Sequence, residues 1–163
     1  MYGDPKLISF DKMSYDNDTM EVGTYLMAMS AGGAASDSSC KFAVEVGVDF
    51  WHNLIGSRMI HAVNVTLRLR NHTIDLRPGT LQINGSNKGF PYESSVVQVS
   101  SNSLGALYVN VVGCHMRLVF DRSMVLVFAR RDLYSGTLSG MCGNCNSKAT
   151  DEDPNMLNYL IRN

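Results

Sequence analysis

The chain has 163 residues, 45% of them hydrophobic and 18% charged, with a formal net charge of −1. That length is one domain able to bury a core of its own, and the near-neutral balance argues against nucleic acid or an anionic membrane as partner. No apolar run approaches the roughly 18 residues that a membrane helix needs.

The first residues, Met1-Tyr2-Gly3-Asp4-Pro5, lack the charged and apolar regions of a signal peptide. The expectation is either a cytosolic protein or a piece of a longer secreted one. Beyond them, period-two alternation dominates, the mark of strands with one buried and one wet face. Ser30 to Ser39 is a run of small residues and reads as an exposed loop. Lys41 to Val48 alternates and reads as a strand. From Met59 to Leu69 the odd positions Met59, Val63, Val65, Leu67 and Leu69 are apolar, with His61 on that same face. Its expected role is a hydrogen-bonded core histidine.

Leu81 to Ile83 runs into Asn84-Gly85, the strongest short hairpin signal. Ser95 to Val99, Leu107 to Val112, Met116 to Phe120 and Met124 to Phe128 complete the strands, with Asp121-Arg122-Ser123 as the turn between the last two. Asn155 to Ile161, after Pro154, is expected to form a short helix. Turn signals recur about every ten residues, as in a sandwich or barrel. The fold class is therefore all-β and antiparallel, in a single domain spanning 1–163. Trp51 and the ten methionines are expected in the core or at a contact surface.

The chemistry-bearing residues cluster at the ends. Gly140-Met-Cys-Gly-Asn-Cys-Asn-Ser-Lys-Ala-Thr-Asp-Glu-Asp153 offers oxygens from Asn144, Asn146, Ser147, Asp151, Glu152 and Asp153. Hard cations such as calcium take six to eight oxygen ligands from such groups. The spacing is not that of an EF-hand, and the segment taken alone reads first as a solvated acidic loop. Cys40, Cys114, Cys142 and Cys145 fit two disulfides, with three possible connectivities. Asn17, Asn64, Asn71 and Asn84 each begin an Asn-X-Ser/Thr sequon and are candidate glycosylation sites.

Other readings fail on local grounds. Cys142-Gly-Asn-Cys145 has Cys-X-X-Cys spacing, but no amphipathic helix follows it to lower a thiol pKa. A zinc site from Cys114, His115, Cys142 and Cys145 has the right ligand number, but adjacent strand residues point to opposite faces. No nucleophile elbow or phosphate-cradling glycine loop accompanies the four histidines.

Gly3-Asp4-Pro5, then Phe10-Asp11, then Tyr15 resembles the opening of a von Willebrand factor type D domain. Gly23-Thr24-Tyr25, Cys40 to Val46, and Leu81 to Gly85 with Pro91 resemble that family's middle. Ser139-Gly-Met-Cys-Gly-Asn-Cys-Asn146 with Asp151-Glu152 resembles its closing signature. The resemblance covers nearly the whole chain, in order. It implies a β-sandwich whose short C-terminal loop binds one Ca2+, the ligands being Asp11, Asn144, Asn146, Asp151 and Glu152 with a backbone carbonyl near Lys148. It further implies a secreted, non-enzymatic structural or adhesive module, assembling with other modules of its parent chain or other extracellular proteins. The isolated domain is expected to be a monomer. The alternative is the same module in a vitellogenin-type lipid carrier or a secreted luciferase.

Three departures from the family pattern matter. Lys6 replaces the histidine of the opening motif, so self-cleavage at Asp4-Pro5, known in some members, is not expected. Tyr25 and Ser139 replace family cysteines, while Cys114 and Cys145 are additions, so the family's bridges cannot be carried over. The resemblance leaves Cys142 a partner in Cys40 or Cys114, and the expected pairs are Cys40–Cys142 and Cys114–Cys145. Ser139 also removes a thiol that multimerising members use, so covalent assembly through this loop is not expected.

Overall fold

A computed structural model describes residues 7–8, 14–15, 20–30, 40–52, 58–121, 124–148, 150 and 155–161. Strands β1 (Leu7–Ile8) and β2 (Ser14–Tyr15) pair as a small antiparallel ribbon. The body is a sandwich of two antiparallel sheets. The larger holds β3 (Gly23–Ser30), β4 (Phe42–His52), β5 (Arg58–Leu69), β6 (His72–Arg77), β7 (Thr80–Ile83) and β8 (Ser86–Lys88) in sequence order. The smaller is a second meander of β9 (Tyr92–Glu93), β10 (Val97–Ser101), β11 (Leu107–Val111), β12 (Met116–Asp121) and β13 (Met124–Ala129).

After β13 come a one-turn helix α1 (Arg131–Tyr134), β14 (Leu138–Ser139), a 3-10 turn (Met156–Tyr159) and β15 (Leu160–Ile161). Both β14 and β15 pair with β3. The end of the chain thus returns to the edge strand of the larger sheet.

Alternation builds the core. Val44, Val46, Val65, Leu67, Ile74, Leu76 and Leu81 of the larger sheet meet Val97, Val99, Leu107, Val109, Met116, Leu118 and Phe120 of the smaller in one buried cluster. Each fully buried aliphatic side chain of this kind contributes about 1.5–3 kcal/mol. The opposite face of the larger sheet is polar. There Arg68 donates to both Glu45 carboxylate oxygens at 2.6 and 3.0 Å, Thr66 to Asp75 at 2.7 Å, and Gln82 to Asn87 at 2.9 Å.

The Asn84-Gly85 turn forms as expected, with φ of 51° and 77° at its two central residues. This is the backbone that matches the twist of paired strands. Among the described residues two β-bulges interrupt the alternation. In β3 the register shifts between Leu26 and Ala28, so Met27 and Ala28 are both buried. In β5, Asn64 pairs with Gly47 but Ala62 with Val48, leaving Val63 as the extra residue.

This second bulge corrects the reading of His61. Ahead of it the buried position is Ala62, and His61 lies opposite the exposed Asp49, away from the core. Its Nδ1 is buried and makes no hydrogen bond among the described residues. The C-terminal helix shrinks to the single 3-10 turn, capped by Asn155, whose side-chain oxygen accepts from Leu157 N at 3.1 Å. The 30–39 loop beyond Ser30 and the 122–123 turn lie outside the described residues, as do the surroundings of the Trp51 side chain.

Candidate functional site

The return of the chain to β3 creates the region where the chemistry-bearing loop is held. Tyr134, at the end of α1, is buried against Phe42, ring centroids 5.6 Å apart at 75°. Its hydroxyl donates to the Cys114 carbonyl at 2.7 Å. Burial holds this phenol above its ordinary pKa, because the phenolate would lose its hydration. Gly136 N donates to Asn144 O at 2.8 Å, which folds the loop back on the turn after α1.

The loop is then pinned to the edge of β3. Leu138 and Ser139 pair with Ser30 and Met29, Met141 N donates to Leu26 O at 3.0 Å, and Cys142 N to Met27 O at 2.7 Å. Leu160 and Ile161 complete the edge opposite Tyr25 and Thr24. The chain thus leaves β3 after Cys142 and is paired with the same strand again at Leu160, and the described part of the excursion between is residues 143–148, 150 and 155–159. Gly140 allows the close approach: its φ is 110°, and a Cβ there would lie 2.8 Å from Met27 O.

Within the excursion the backbone takes positive φ at Gly143 (81°), Cys145 (64°) and Ser147 (70°). Asn144 Oδ1 accepts from Asn146 N at 3.0 Å, and Asn146 Oδ1 from Lys148 N at 2.6 Å. These are two successive Asx turns. An amide oxygen carries two lone pairs, so accepting a backbone N–H is compatible with binding a hard cation as well. The donor chemistry of Asn144 and Asn146 therefore fits calcium. Asp11, Asp151 and Glu152, the carboxylates of the expected set, lie outside the described residues, as does Asn17. Among the described residues no three His, Cys, Asp or Glu side chains converge as a metal site.

The disulfide expectation is corrected. Cys40 bonds Cys114 across a Cα separation of 5.3 Å; the pairs Cys40–Cys142 and Cys114–Cys145 do not form. Cys40 leads into β4 of the larger sheet, and Cys114 sits in the turn between β11 and β12 of the smaller, so the bridge ties the two layers together. Cys142 and Cys145 are buried in the loop at the β3 edge. With Cys114 in the disulfide, the zinc alternative loses a ligand. Residues 142–148 form turns and bends rather than a helix, which the thioredoxin-like reading would require.

Tyr25, in the strand that holds the loop, is a further anchor. It is fully buried, and its hydroxyl accepts from Glu21 N at 2.9 Å and donates to Glu21 O at 3.0 Å. Sequence reasoning missed Tyr134 and Gly140 as anchors of the loop, since nothing local distinguishes Leu133-Tyr134-Ser135-Gly136 from any turn.

The family model of the von Willebrand factor type D domain matches residues 1–154. No curated protein matches the chain. Among the described residues no helix is long and apolar enough to cross a membrane.

Proposed function

The chain belongs to the von Willebrand factor type D family, and from that premise we propose that it is a non-enzymatic, secreted module, stabilised by calcium, that mediates protein–protein assembly in a matrix or mucus-like protein. Domains of this family occur in extracellular proteins, serve adhesion and assembly, and are generally structural units rather than enzymes.

The observation that carries the calcium reading is the closing loop itself. It is anchored at both ends to β3 and presents two amide oxygens at alternate positions, Asn144 and Asn146. Asp11, Asp151, Glu152 and the carbonyl near Lys148 would supply the remaining ligands. Such an ion would cross-link the two ends of the chain and stabilise the fold by linkage, about 2.7 kcal/mol at a hundredfold excess over its dissociation constant. An assembly role is supported by the apolar stripe along β13, where Met124, Leu126 and Phe128 are 47, 38 and 52% exposed.

Thermal unfolding with calcium and with chelator tests the reading. The midpoint rises with calcium, and Asp11→Ala, Asn146→Ala or Asp151→Ala abolishes the rise. A midpoint unmoved by either addition removes calcium from the proposal. Gel filtration then shows a monomer for the isolated domain.

A further inference from the structure

Three of the four sequons lie in described structure, and the fold treats them differently. Asn71 stands exposed in the two-residue turn joining β5 to β6, where Leu69 pairs with His72. Asn84 stands exposed in the β7–β8 turn, at φ 51°. The two turns lie at the same end of the larger sheet, and the second is bonded to Thr73, the β6 residue that completes the Asn71 sequon: Asn84 N donates to Thr73 O at 2.8 Å, and Thr73 N donates to Asn84 Oδ1 at 2.8 Å. That second bond uses the oxygen of the Asn84 amide. The nitrogen, which is the atom a glycan needs, is not consumed by it.

Asn64 is placed otherwise. It lies within β5, half-buried, and its amide is folded over Gly47 of the neighbouring strand. A Cβ on Gly47 would collide with the Asn64 Oδ1, with Cγ at 3.0 Å and Nδ2 at 3.4 Å. A glycan on this Nδ2 would have to occupy the sheet surface where the amide lies, at the bulge that sets the register of β5.

We propose that Asn71 and Asn84 are the N-glycan acceptors of the described sequons and that Asn64 is left unmodified. The chemistry is a group transfer from a lipid-diphosphate-linked oligosaccharide. The amide Nδ2 bonds to the anomeric carbon, the carbon–oxygen bond to the diphosphate breaks with its electron pair leaving on oxygen, and the amide gives up one proton. Sugars on these turns would crown one end of the sandwich. The Asn84 glycan would stand at the start of β8, the edge strand of the larger sheet, where a bulky hydrophilic group blocks strand addition. The β13 stripe lies in the other sheet and would stay bare.

This inference rests on the secretory reading, so the test supplies the route. The chain is expressed behind a cleavable signal peptide in eukaryotic cells. The secreted protein is then deglycosylated enzymatically in heavy-oxygen water and mapped by mass spectrometry. Heavy oxygen at Asn71 and Asn84 and not at Asn64 is the expected result. Label at Asn64, or its absence from either turn, overturns the proposal. Thr73→Val and Ser86→Ala destroy the two sequons while keeping both asparagines in their turns. Each is expected to remove one glycan step in gel mobility, and no change with either also overturns it. Because the signal is supplied, these outcomes do not depend on where the natural protein resides.

Discussion

The Tyr134 hydroxyl donates to the Cys114 carbonyl at 2.7 Å, so the residue that ends α1 is tied to the turn that carries the disulfide. Through Tyr134 and Phe42 the root of the closing loop contacts β4, and through Cys114 it is coupled to Cys40 at the entrance of that strand. The loop's position on β3 is thus braced from the smaller sheet as well as from the larger.

Tyr134→Phe keeps the ring against Phe42 but removes the hydrogen bond to the Cys114 carbonyl, which costs about 0.5–1.5 kcal/mol. Its pH signature separates this loss from a packing defect. Burial raises the phenol pKa above the ordinary 10.0. The unfolded chain therefore ionises first, the folded chain binds more protons in that window, and stability falls as pH rises past about 10. Urea unfolding midpoints across alkaline pH should show a shallower decline in the Phe variant. Parallel curves would show that Tyr134 is not the titrating group.

The bridge between Cys40 and Cys114 closes a separation of 74 residues. A loop of that size implies a loss of about 4 kcal/mol when the bridge is removed, on the chain-entropy account. Cys40→Ser with Cys114→Ser should lower the unfolding free energy by an amount in the range of about 2–5 kcal/mol. Non-reducing peptide mapping should recover the peptides of Cys40 and Cys114 linked. A Cys40–Cys142 peptide in their place would contradict the structure.

Much of the fold was legible because burial follows alternation. Val65 and Leu67 are buried where the pattern put them, and Asn84-Gly85 turns where its backbone preference demands. The phase of β5 failed at one place, ahead of Val63, because a bulge adds a residue without altering the composition. The clue was Gly47 inside a strand, a residue that marks bulges and close approaches. β6 went unread although Ile74 and Leu76 alternate, since its apolar positions are only these two, between His72 and Arg77. The disulfide pairing was not legible at all. It depends on which turn of the smaller sheet comes to lie beside the entrance of β4, and that is a property of the sandwich rather than of any segment. In the closing loop, the sequence put Asn144 and Asn146 at alternate positions of one segment. Their Asx turns and the anchoring by Gly140 depend on local dihedrals that donor spacing does not specify.

Gly47 tests the bulge directly. Gly47→Ala places a methyl group on the Asn64 amide, an overpacking expected to cost about 1–3 kcal/mol. The conflict is with a side chain, so Asn64→Ala in the same molecule should recover much of the loss. The double-mutant cycle should give a favourable coupling between about 0.5 and 3 kcal/mol. Additive effects would mean that the Asn64 side chain does not lie over Gly47.

Gly140 offers no such rescue. A Cβ there would meet Met27 O at 2.8 Å, Met27 C at 2.9 Å and Leu26 O at 3.0 Å, all backbone atoms of β3. The φ of 110° adds strain for any other residue, about 1–3 kcal/mol by itself. Gly140→Ala should therefore cost more than Gly47→Ala and should act locally, by lifting the loop from the strand. The amides of Met141 and Cys142 donate to Leu26 O and Met27 O, so hydrogen exchange at these two positions should accelerate far more than exchange in β11 or β12. If calcium binds the excursion, the same substitution should weaken the calcium-dependent rise in midpoint, because the ligands are positioned by this anchor. Unchanged protection at Met141 and Cys142 would show that the loop is held by something other than its bonds to β3.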